Sequence, residues 1–313
     1  LRWSMSAKTF KPCAYEWPTL GLLALVYICF ALILMNAGQL GILISIALLT
    51  PLVTLHSSLQ HEFVHTIEQR HPMLAQILVF PAVGLFIPYL RFRDQHLAHH
   101  RNENLTDPID DPESFYLAPE IWRDLPAWKQ IVLRFNNTLI GRILIGPIVG
   151  QLTFMAGDWC LWRKKGDQAV LIAWAVHIPA VALVICYVSL SSLPFWAYFI
   201  AAYLGLSILK IRTYLEHRAE EQANGRSVII EDRGILAFLF LNNNYHAAHH
   251  AHPSVRWYHL PRLFTMNRKK FLGQNRGYYF RNYKEILQTY LFHAKEPVEH
   301  PLWSFGNRKA PLE

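Results

Sequence analysis

Two long uncharged stretches dominate the hydrophobic pattern of the chain. No Asp, Glu, Lys or Arg occurs in residues 18–60 or in residues 169–209. A helix crosses a bilayer with about 20 apolar residues, so each stretch is long enough for two crossings, whereas buried helices of a soluble protein, the alternative, are usually shorter. Polar breaks at 36–39 and 189–194 divide the stretches. The pattern predicts two helical hairpins, whose four spans lie at about 18–35, 40–60, 169–188 and 194–211.

Two other apolar segments lie between the hairpins. Residues 73–90 are long enough to suggest a fifth span, but Pro81, Gly84 and Pro88 interrupt them. We predict a re-entrant or surface hairpin whose broken backbone is buried in protein, because lipid cannot satisfy its peptide groups. Residues 127–155 are apolar but contain two arginines, which predicts an interfacial helix.

The basic residues fall on one side of this predicted topology. All 30 lie before the first stretch, between the two stretches or after the second, and none lies in a hairpin tip. Loops rich in Lys and Arg remain in the cytoplasm, so both termini and the central loop are expected there. Attraction to anionic lipid head groups then explains the net charge of +8. No motif indicates nucleic-acid binding.

These patterns predict an all-α polytopic membrane protein that forms a single domain over residues 1–313. The four transmembrane helices, as two hairpins, carry a cytoplasmic helical cap made of residues 61–168 and 212–313. The four cysteines form no CxxC pair, so neither a disulfide framework nor a thiolate metal site is expected.

Nine of the 16 histidines fall into four groups, all on the predicted cytoplasmic side. Residues three or four apart project from the same side of a helix, so each group can aim its imidazoles at one point. The groups are His61 with His65, His96 with His99 and His100, His217 alone, and His246 with His249 and His250. Imidazole suits iron, zinc, copper and nickel, and nine imidazoles exceed what one ion coordinates. The sequence therefore predicts a di-metal site in the cap.

The other seven histidines follow no such pattern. His56 and His177 are solitary within predicted spans, where an ionisable group either has a function or bonds a neighbouring helix. The remaining five are expected at the surface or around the ligands: His71, His252, His259, His293 and His300. Of these, His252 and His259 are closest in sequence to the last group and are expected to matter most for the site.

Three of these groups are histidine boxes, HxxxH at 61–65 and HxxHH at 96–100 and at 246–250. Their order around two membrane hairpins resembles that of the membrane fatty acid desaturase superfamily. The resemblance covers most of the chain, as far as about Pro261. Residues 91–96 and 241–246 are similar to the corresponding stretches of bacterial fatty acid desaturase-like proteins. Residues 214–217 are similar to the ligand segment of membrane alkane hydroxylases. Some acyl-CoA desaturases have an Asn that contacts the site through water where this chain has Thr213, which separates it from the animal acyl-CoA enzymes.

The resemblance implies a non-haem di-iron centre, held by the nine histidines, that uses dioxygen to remove hydrogen from an unactivated C–H bond of a fatty acyl chain. Neutral ligands leave the metal charge uncompensated, so nearby carboxylates are expected to orient the imidazoles through their second ring nitrogen. The candidates are Glu62, Asp94, Glu103 and Glu216, and the alternative is that they are ordinary surface charges.

The partners follow from the same interpretation. An apolar acyl or hydrocarbon chain is expected to enter from the lipid bilayer, and the protein is expected in a bacterial inner membrane. The chain has no GxGxxG nucleotide fingerprint and no cysteine set for an iron–sulfur cluster. A separate electron donor, such as ferredoxin with its reductase, is therefore predicted.

Several alternatives remain open at this stage. Within the superfamily, the same centre can hydroxylate an alkane, acyl or carotenoid substrate, act as a carotenoid ketolase, or catalyse oxidative decarboxylation. His61, Glu62 and His65 also satisfy the HExxH motif of membrane zinc proteases, although that reading leaves the other histidines unexplained. A metal transporter or a haem-binding membrane protein is the non-enzymatic alternative, but transport sites lie near the middle of the bilayer.

Overall fold

The computed structural model describes residues 16–102 and 104–303, so Glu103 lies outside the described residues. The described chain is mostly helical, which confirms the predicted fold class. Two-residue strands β1 (Ile229–Ile230) and β2 (Tyr279–Phe280) form a parallel pair that the sequence did not predict. In chain order the helices are α1 (Trp17–Met35), α2 (Ala37–Leu40), α3 (Ile42–His65), α4 (Pro72–Leu78), α5 (Tyr89–Arg101), α6 (Pro119–Asp124), α7 (Ala127–Asn136), α8 (Leu139–Leu144), α9 (Gly146–Lys165), α10 (Gln168–Ser189), α11 (Phe195–Thr213), α12 (Ile235–Leu239), α13 (His246–Ala251), α14 (Leu260–Met266), α15 (Arg268–Gln274) and α16 (Tyr283–Tyr290).

Four helices of the described chain are long and apolar enough to cross a membrane, namely α1, α3, α10 and α11. They coincide with the four predicted spans, and α3 continues beyond its predicted end through the first histidine box to His65. Large apolar side chains on their outer faces are exposed, as lipid-facing residues must be; Leu43, for example, is 81% exposed. The protein is therefore an integral membrane protein with two apolar hairpins.

The central helix α3 packs against α1 and α11. A side chain at Gly205 of α11 could not fit, because its Cβ would lie 2.7 Å from the Val53 side chain of α3. Thr54 of α3 donates a hydrogen bond from Oγ1 to the Gly205 carbonyl over 3.0 Å. Small residues let membrane helices approach closely in this way. The contact sets α3 and α11 side by side, so that the end of α3 at His65 and the chain leaving α11 towards His217 reach the same side.

The segment between α4 and α5 contains no helix long enough to cross a membrane, which agrees with the broken backbone predicted for residues 73–90. After α4 ends at Leu78, residues 79–88 have no regular structure. The carbonyl groups of Leu78 and of this segment accept hydrogen bonds from side chains of neighbouring helices, which is how irregular backbone is tolerated near lipid. The pairs, from α1, α11, α10 and α9 in turn, are Tyr27 with Leu78, Tyr198 with Val83, His177 with Leu85 and Gln151 with Phe86.

The single interfacial helix predicted for residues 127–155 is wrong, because three helices, α7, α8 and α9, occupy this region. The first break lies at Asn137 and Thr138, whose hydroxyl caps α8 by accepting from the Gly141 amide over 3.1 Å. The chain turns so tightly here that a Cβ at Gly141 would lie 1.8 Å from the Phe135 carbonyl oxygen. The second break precedes Pro147, which fits the first turn of α9 but not a helix interior.

Candidate metal centre

Nine histidines from four parts of the chain converge at one end of the membrane helices. The last turn of α3 carries His61 and His65, and the other histidines lie on α5, just after α11, and on α13. Within each group the potential ligand atoms lie no more than 4.8 Å apart. One group comprises His61, His65, His96, His100 and His249, and the other comprises His99, His217, His246 and His250.

The two groups are adjacent, and each of the two HxxHH boxes supplies histidines to both groups. The His100 and His250 rings, one from each group, stack with their centroids 4.2 Å apart. Because residues three and four apart project from the same side of a helix, α5 and α13 can each supply ligands to both groups. The arrangement consists of two neighbouring sites of five and four imidazoles.

Acceptors outside the centre fix the tautomers of several imidazoles. His96 donates a hydrogen bond from Nδ1 to Glu113 over 2.9 Å, and His99 donates from Nδ1 to Asp111 over 2.7 Å. The Nδ1 atom of His246 lies 3.2 Å from the amide oxygen of Asn243. A neutral imidazole with its proton on Nδ1 keeps a lone pair on Nε2. These lone pairs therefore point into the centre.

The inward Nε2 atoms lie close to one another in pairs. Two lone pairs that face each other cannot form a hydrogen bond, but both can bind the same cation. The Nε2 atoms of His65 and His96 lie 2.8 Å apart, and those of His99 and His217 lie 2.9 Å apart. The Nε2 atoms of His61 and His250 are buried and have no hydrogen-bond partner among the described residues. Buried polar groups are almost always paired, so these residues fit metal ions in both groups.

Burial lowers the pKa of most of these imidazoles and so favours the neutral form that binds metal. Desolvation, with repulsion from neighbouring imidazoles, holds the pKa of His100, His249 and His250 well below the usual range. Burial also opposes protonation of His99, but the nearby Glu113 and Asp111 carboxylates outweigh it and raise the pKa of His99 to about 9. A metal ion that binds His99 at Nε2 would therefore displace a proton from that nitrogen. Burial alone would raise the pKa of Glu113, whereas His96 and His99 bring it well below its usual range.

The carboxylates that contact the imidazoles differ from most of those expected from the sequence. Asp111 and Glu113 lie in the loop after α5, at no helical spacing from the histidine boxes, so no periodic signal marked them. Asp94 instead accepts a hydrogen bond from Arg93 over 2.8 Å. Glu62 accepts from the Trp257 backbone amide over 3.3 Å. Both of these predicted carboxylates thus contact groups other than imidazoles.

Glu216 lies closest to the role expected of it. Its carboxylate pairs with Arg212 at 2.9 Å and accepts from the Asn243 side-chain amide over 3.3 Å. The other end of that amide lies beside His246 Nδ1. Glu216 also lies 3.7 Å from His246 Nδ1, so it approaches this histidine directly as well as through Asn243.

A buried ion pair anchors the helix that carries the second histidine box. Arg91, in the first turn of α5, pairs with Asp158 of α9 at 2.7 Å, and their side chains are 6% and 3% exposed. The second oxygen of Asp158 accepts from the indole nitrogen of Trp174 on α10 over 2.8 Å. The carboxylate thus ties α5 to two other helices, an arrangement that the sequence gave no means of predicting.

The last histidine box is held by backbone bonds from β1. The Ile230 amide donates to the Asn244 carbonyl, and the Ala247 amide donates to the Val228 carbonyl, each over 2.9 Å. The strand pairing with β2 fastens this segment to the tail of the chain.

The two solitary histidines of the membrane helices have structural partners. His177 donates to the Leu85 carbonyl, and His56 lies 3.2 Å from the Tyr27 hydroxyl.

An apolar cavity of about 410 Å³ lies beside the centre, between α4, α5 and α10. Gln60, the residue before His61, lines it, and Ala173, Val176 and Ala180 form its wall on α10. Large α4 side chains at its outer edge are exposed, among them Ile77 at 66%. The cavity therefore reaches the apolar surface of the protein, and along α3 its lining comes within one residue of the first histidine group.

The fold and this cluster define a polytopic membrane protein with two adjacent histidine sites, each able to hold a metal ion. A family model described as fatty acid desaturase matches residues 37–282. Because the match covers most of the chain, the protein belongs to the fatty acid desaturase family, as its histidine boxes predicted. A comparison with curated proteins found no match.

Proposed function

We propose that the protein is an oxygen-dependent desaturase that introduces a double bond into a fatty acyl chain at a di-iron centre. The observation that carries the proposal is the pair of neighbouring imidazole groups, of five and four ligands, with inward lone pairs. Family membership favours iron over the other metals that imidazole suits. One ion would be held by each group.

Iron bound here would supply dioxygen activation and the removal of hydrogen from an unactivated C–H bond. The protein's own residues create the conditions for that chemistry. Asp111 and Glu113 hold protons on the outer Nδ1 atoms of His99 and His96, which keeps both inward nitrogens available. Glu216 is proposed to act in the same way through Asn243, and Glu62 and Asp94 are retained as weaker candidates.

The apolar cavity is the proposed site for the acyl chain. Its volume, about 410 Å³, lies in the usual range for small-molecule sites. Val79 and Ala82 belong to the broken segment and line it together with α10, so the chain would lie between packed helices and away from water. Entry from the bilayer between α4 and α10 would let a lipid-soluble chain reach the centre without crossing the aqueous phase.

The reaction needs electrons from a separate donor. Converting a CH₂–CH₂ pair into a double bond, with dioxygen reduced to water, takes two electrons and two protons beyond those that the substrate gives up. The sequence contains no nucleotide fingerprint that would supply them. A ferredoxin with its reductase is the proposed donor, and the bacterial inner membrane, with both termini in the cytoplasm, is the proposed location.

Expression in a lipid-producing bacterial host tests the proposal directly. Mass spectrometry of fatty acids and hydrocarbons should show a new unsaturated product that is lost in His249→Ala and kept in His71→Ala. His71 is an exposed histidine outside the two groups, so it controls for a change of the same kind. The purified protein should contain about two iron ions. An alcohol in place of an alkene would favour the hydroxylase alternative, and no histidine-dependent product would contradict both.

A further inference from the structure

A second pocket, of about 560 Å³, lies between α12 and α14. It is lined by Arg233, Phe238, Asn242, Tyr258, Pro261, Arg262 and Thr265. None of these residues belongs to the two histidine groups or to the apolar cavity. The pocket therefore has no part in the proposed desaturation site.

Two guanidinium groups give this pocket its charge. Other arginines nearby are paired with carboxylates, as Arg256 is with Glu16 and Arg268 is with Glu231. Arg233 and Arg262 are exposed, and neither forms an ion pair with a carboxylate of the described chain. Each guanidinium offers a planar fork of N–H donors that matches a phosphate group. The pocket thus presents two cationic forks that the protein itself does not neutralise.

The surroundings of the pocket place it at a boundary between apolar and polar surface. Ile235 and Met266, in the helices on either side, are 79% and 56% exposed, and Phe238 in the pocket wall is 45% exposed. Tyr258 lies 3.5 Å from Glu16, the residue before the membrane helix α1. Exposed apolar side chains beside arginines that have no carboxylate partner are typical of a surface that contacts lipid chains and their phosphates together.

The walls of the pocket are held in place by hydrogen bonds, so its shape does not depend on a ligand. Asn242 donates from its side-chain amide to the Trp257 carbonyl over 3.1 Å. The Trp257 and Phe238 rings pack with centroids 6.3 Å apart. Thr265 donates from its hydroxyl to the Pro261 carbonyl over 2.8 Å. The two arginine side chains are exposed, and Arg233 also interacts with the Tyr245 hydroxyl.

We propose that this pocket binds the phosphate group of a membrane phospholipid, with Arg233 and Arg262 as its two cationic contacts. The exposed apolar side chains around it favour a lipid phosphate over a soluble phosphate ester. The inference concerns binding alone and does not depend on the desaturation reaction.

Native mass spectrometry of the full chain in detergent tests the proposal. The ligands are dioleoyl phosphatidylglycerol, dioleoylglycerol, which has the same chains without phosphate, and adenosine 3′,5′-bisphosphate as a soluble phosphate. We expect binding of the phospholipid, little binding of dioleoylglycerol, and at least about tenfold weaker phospholipid binding in the double variant R233Q/R262Q. R262K should lie between, because it keeps the charge and loses the fork.

The double variant R281Q/K284Q is the matched control, since it removes two exposed positive charges outside the pocket. It should bind the phospholipid like the unchanged protein. Equal binding of dioleoylglycerol and the phospholipid, or an equal loss in both double variants, would overturn the proposal. Tight binding of adenosine 3′,5′-bisphosphate alone would overturn the lipid source and leave a soluble phosphate as the ligand. Circular dichroism of each variant confirms that it is folded before binding is compared.

Discussion

His99 donates a hydrogen bond from Nδ1 to the carboxylate of Asp111 over 2.7 Å, and both side chains are 1% exposed. The same carboxylate accepts from the Thr106 backbone amide over 2.8 Å, which orders the loop after α5. Asp111 therefore both orients an imidazole of the second group and fixes the segment that carries Glu113. A change at Asp111 should therefore alter metal binding, although Asp111 is not itself a predicted ligand.

Asp111→Asn should weaken metal binding, because an amide gives a less basic partner to His99 and has one acceptor oxygen where the carboxylate has two. Loss of such a partner typically costs about 10–100-fold in metal affinity or activity. Iron content and double-bond formation should both fall. Asp110→Asn is the control, since Asp110 is exposed and one residue away. Iron content like that of the unchanged protein would show that Asp111 does not support the centre.

The Arg91–Asp158 pair predicts a stability effect that spreads to the centre. Replacing one partner leaves a buried charge unpaired, which costs about 3–5 kcal/mol. Asp158→Asn should therefore lower the thermal unfolding temperature in detergent and reduce iron content, because α5 carries three of the nine histidines. Trp174→Phe removes only the hydrogen bond to the second oxygen of Asp158 and should have a smaller effect.

The double variant R91L/D158L separates the effect of an unpaired buried charge from the effect of losing the contact between α5 and α9. With both charges gone, its stability should lie above that of Asp158→Asn, since replacing a buried pair by apolar residues is often neutral. If iron content fell equally in all three variants while stability stayed unchanged, the pair would not act as an anchor for α5.

The spans and the nine histidines were predictable because each rests on a local pattern. An uncharged stretch marks a membrane helix whatever it packs against, and the spacing in HxxHH places ligands on one helix side. The separation into five and four ligands was not predictable. It depends on which rings of α5 face α3 and which face His217, a consequence of tertiary packing.

The supporting residues were missed for the same physical reason. Asp111 and Glu113 reach their imidazoles through an irregular loop, and Asp158 reaches Arg91 across 67 positions of sequence. No periodicity connects such partners. The break at Asn137 and Thr138 also escaped prediction, because neither residue ends a helix as strongly as a proline does and the apolar pattern continues beyond them.

The apolar cavity predicts how chain length should respond to its wall. Ala180 of α10 lines the cavity and is 3% exposed, whereas Ala182 on the same helix is exposed. Ala180→Leu should fill part of the cavity and lower turnover of long acyl chains more than of short ones, with iron content unchanged. Ala182→Leu makes the same change on the outer face and should leave the product profile as it was. Product profiles from fatty acid analysis measure this, and an unchanged profile in Ala180→Leu would place the acyl chain elsewhere.

The membrane orientation gives a prediction that needs neither metal nor substrate. Alkaline phosphatase is active only when it reaches the outer side of a bacterial inner membrane. Because all basic residues avoid the hairpin tips, fusions within 36–41 and 189–194 should be active, whereas fusions in the loop near residue 102 and after residue 303 should be inactive. The structure brings histidines from before and after residues 79–88 into one cluster, so a fusion at residue 102 must lie on the same side as a fusion after residue 215. Activity at residue 102 with inactivity after 215 would mean that the segment crosses the membrane, and the two histidine groups would then be impossible.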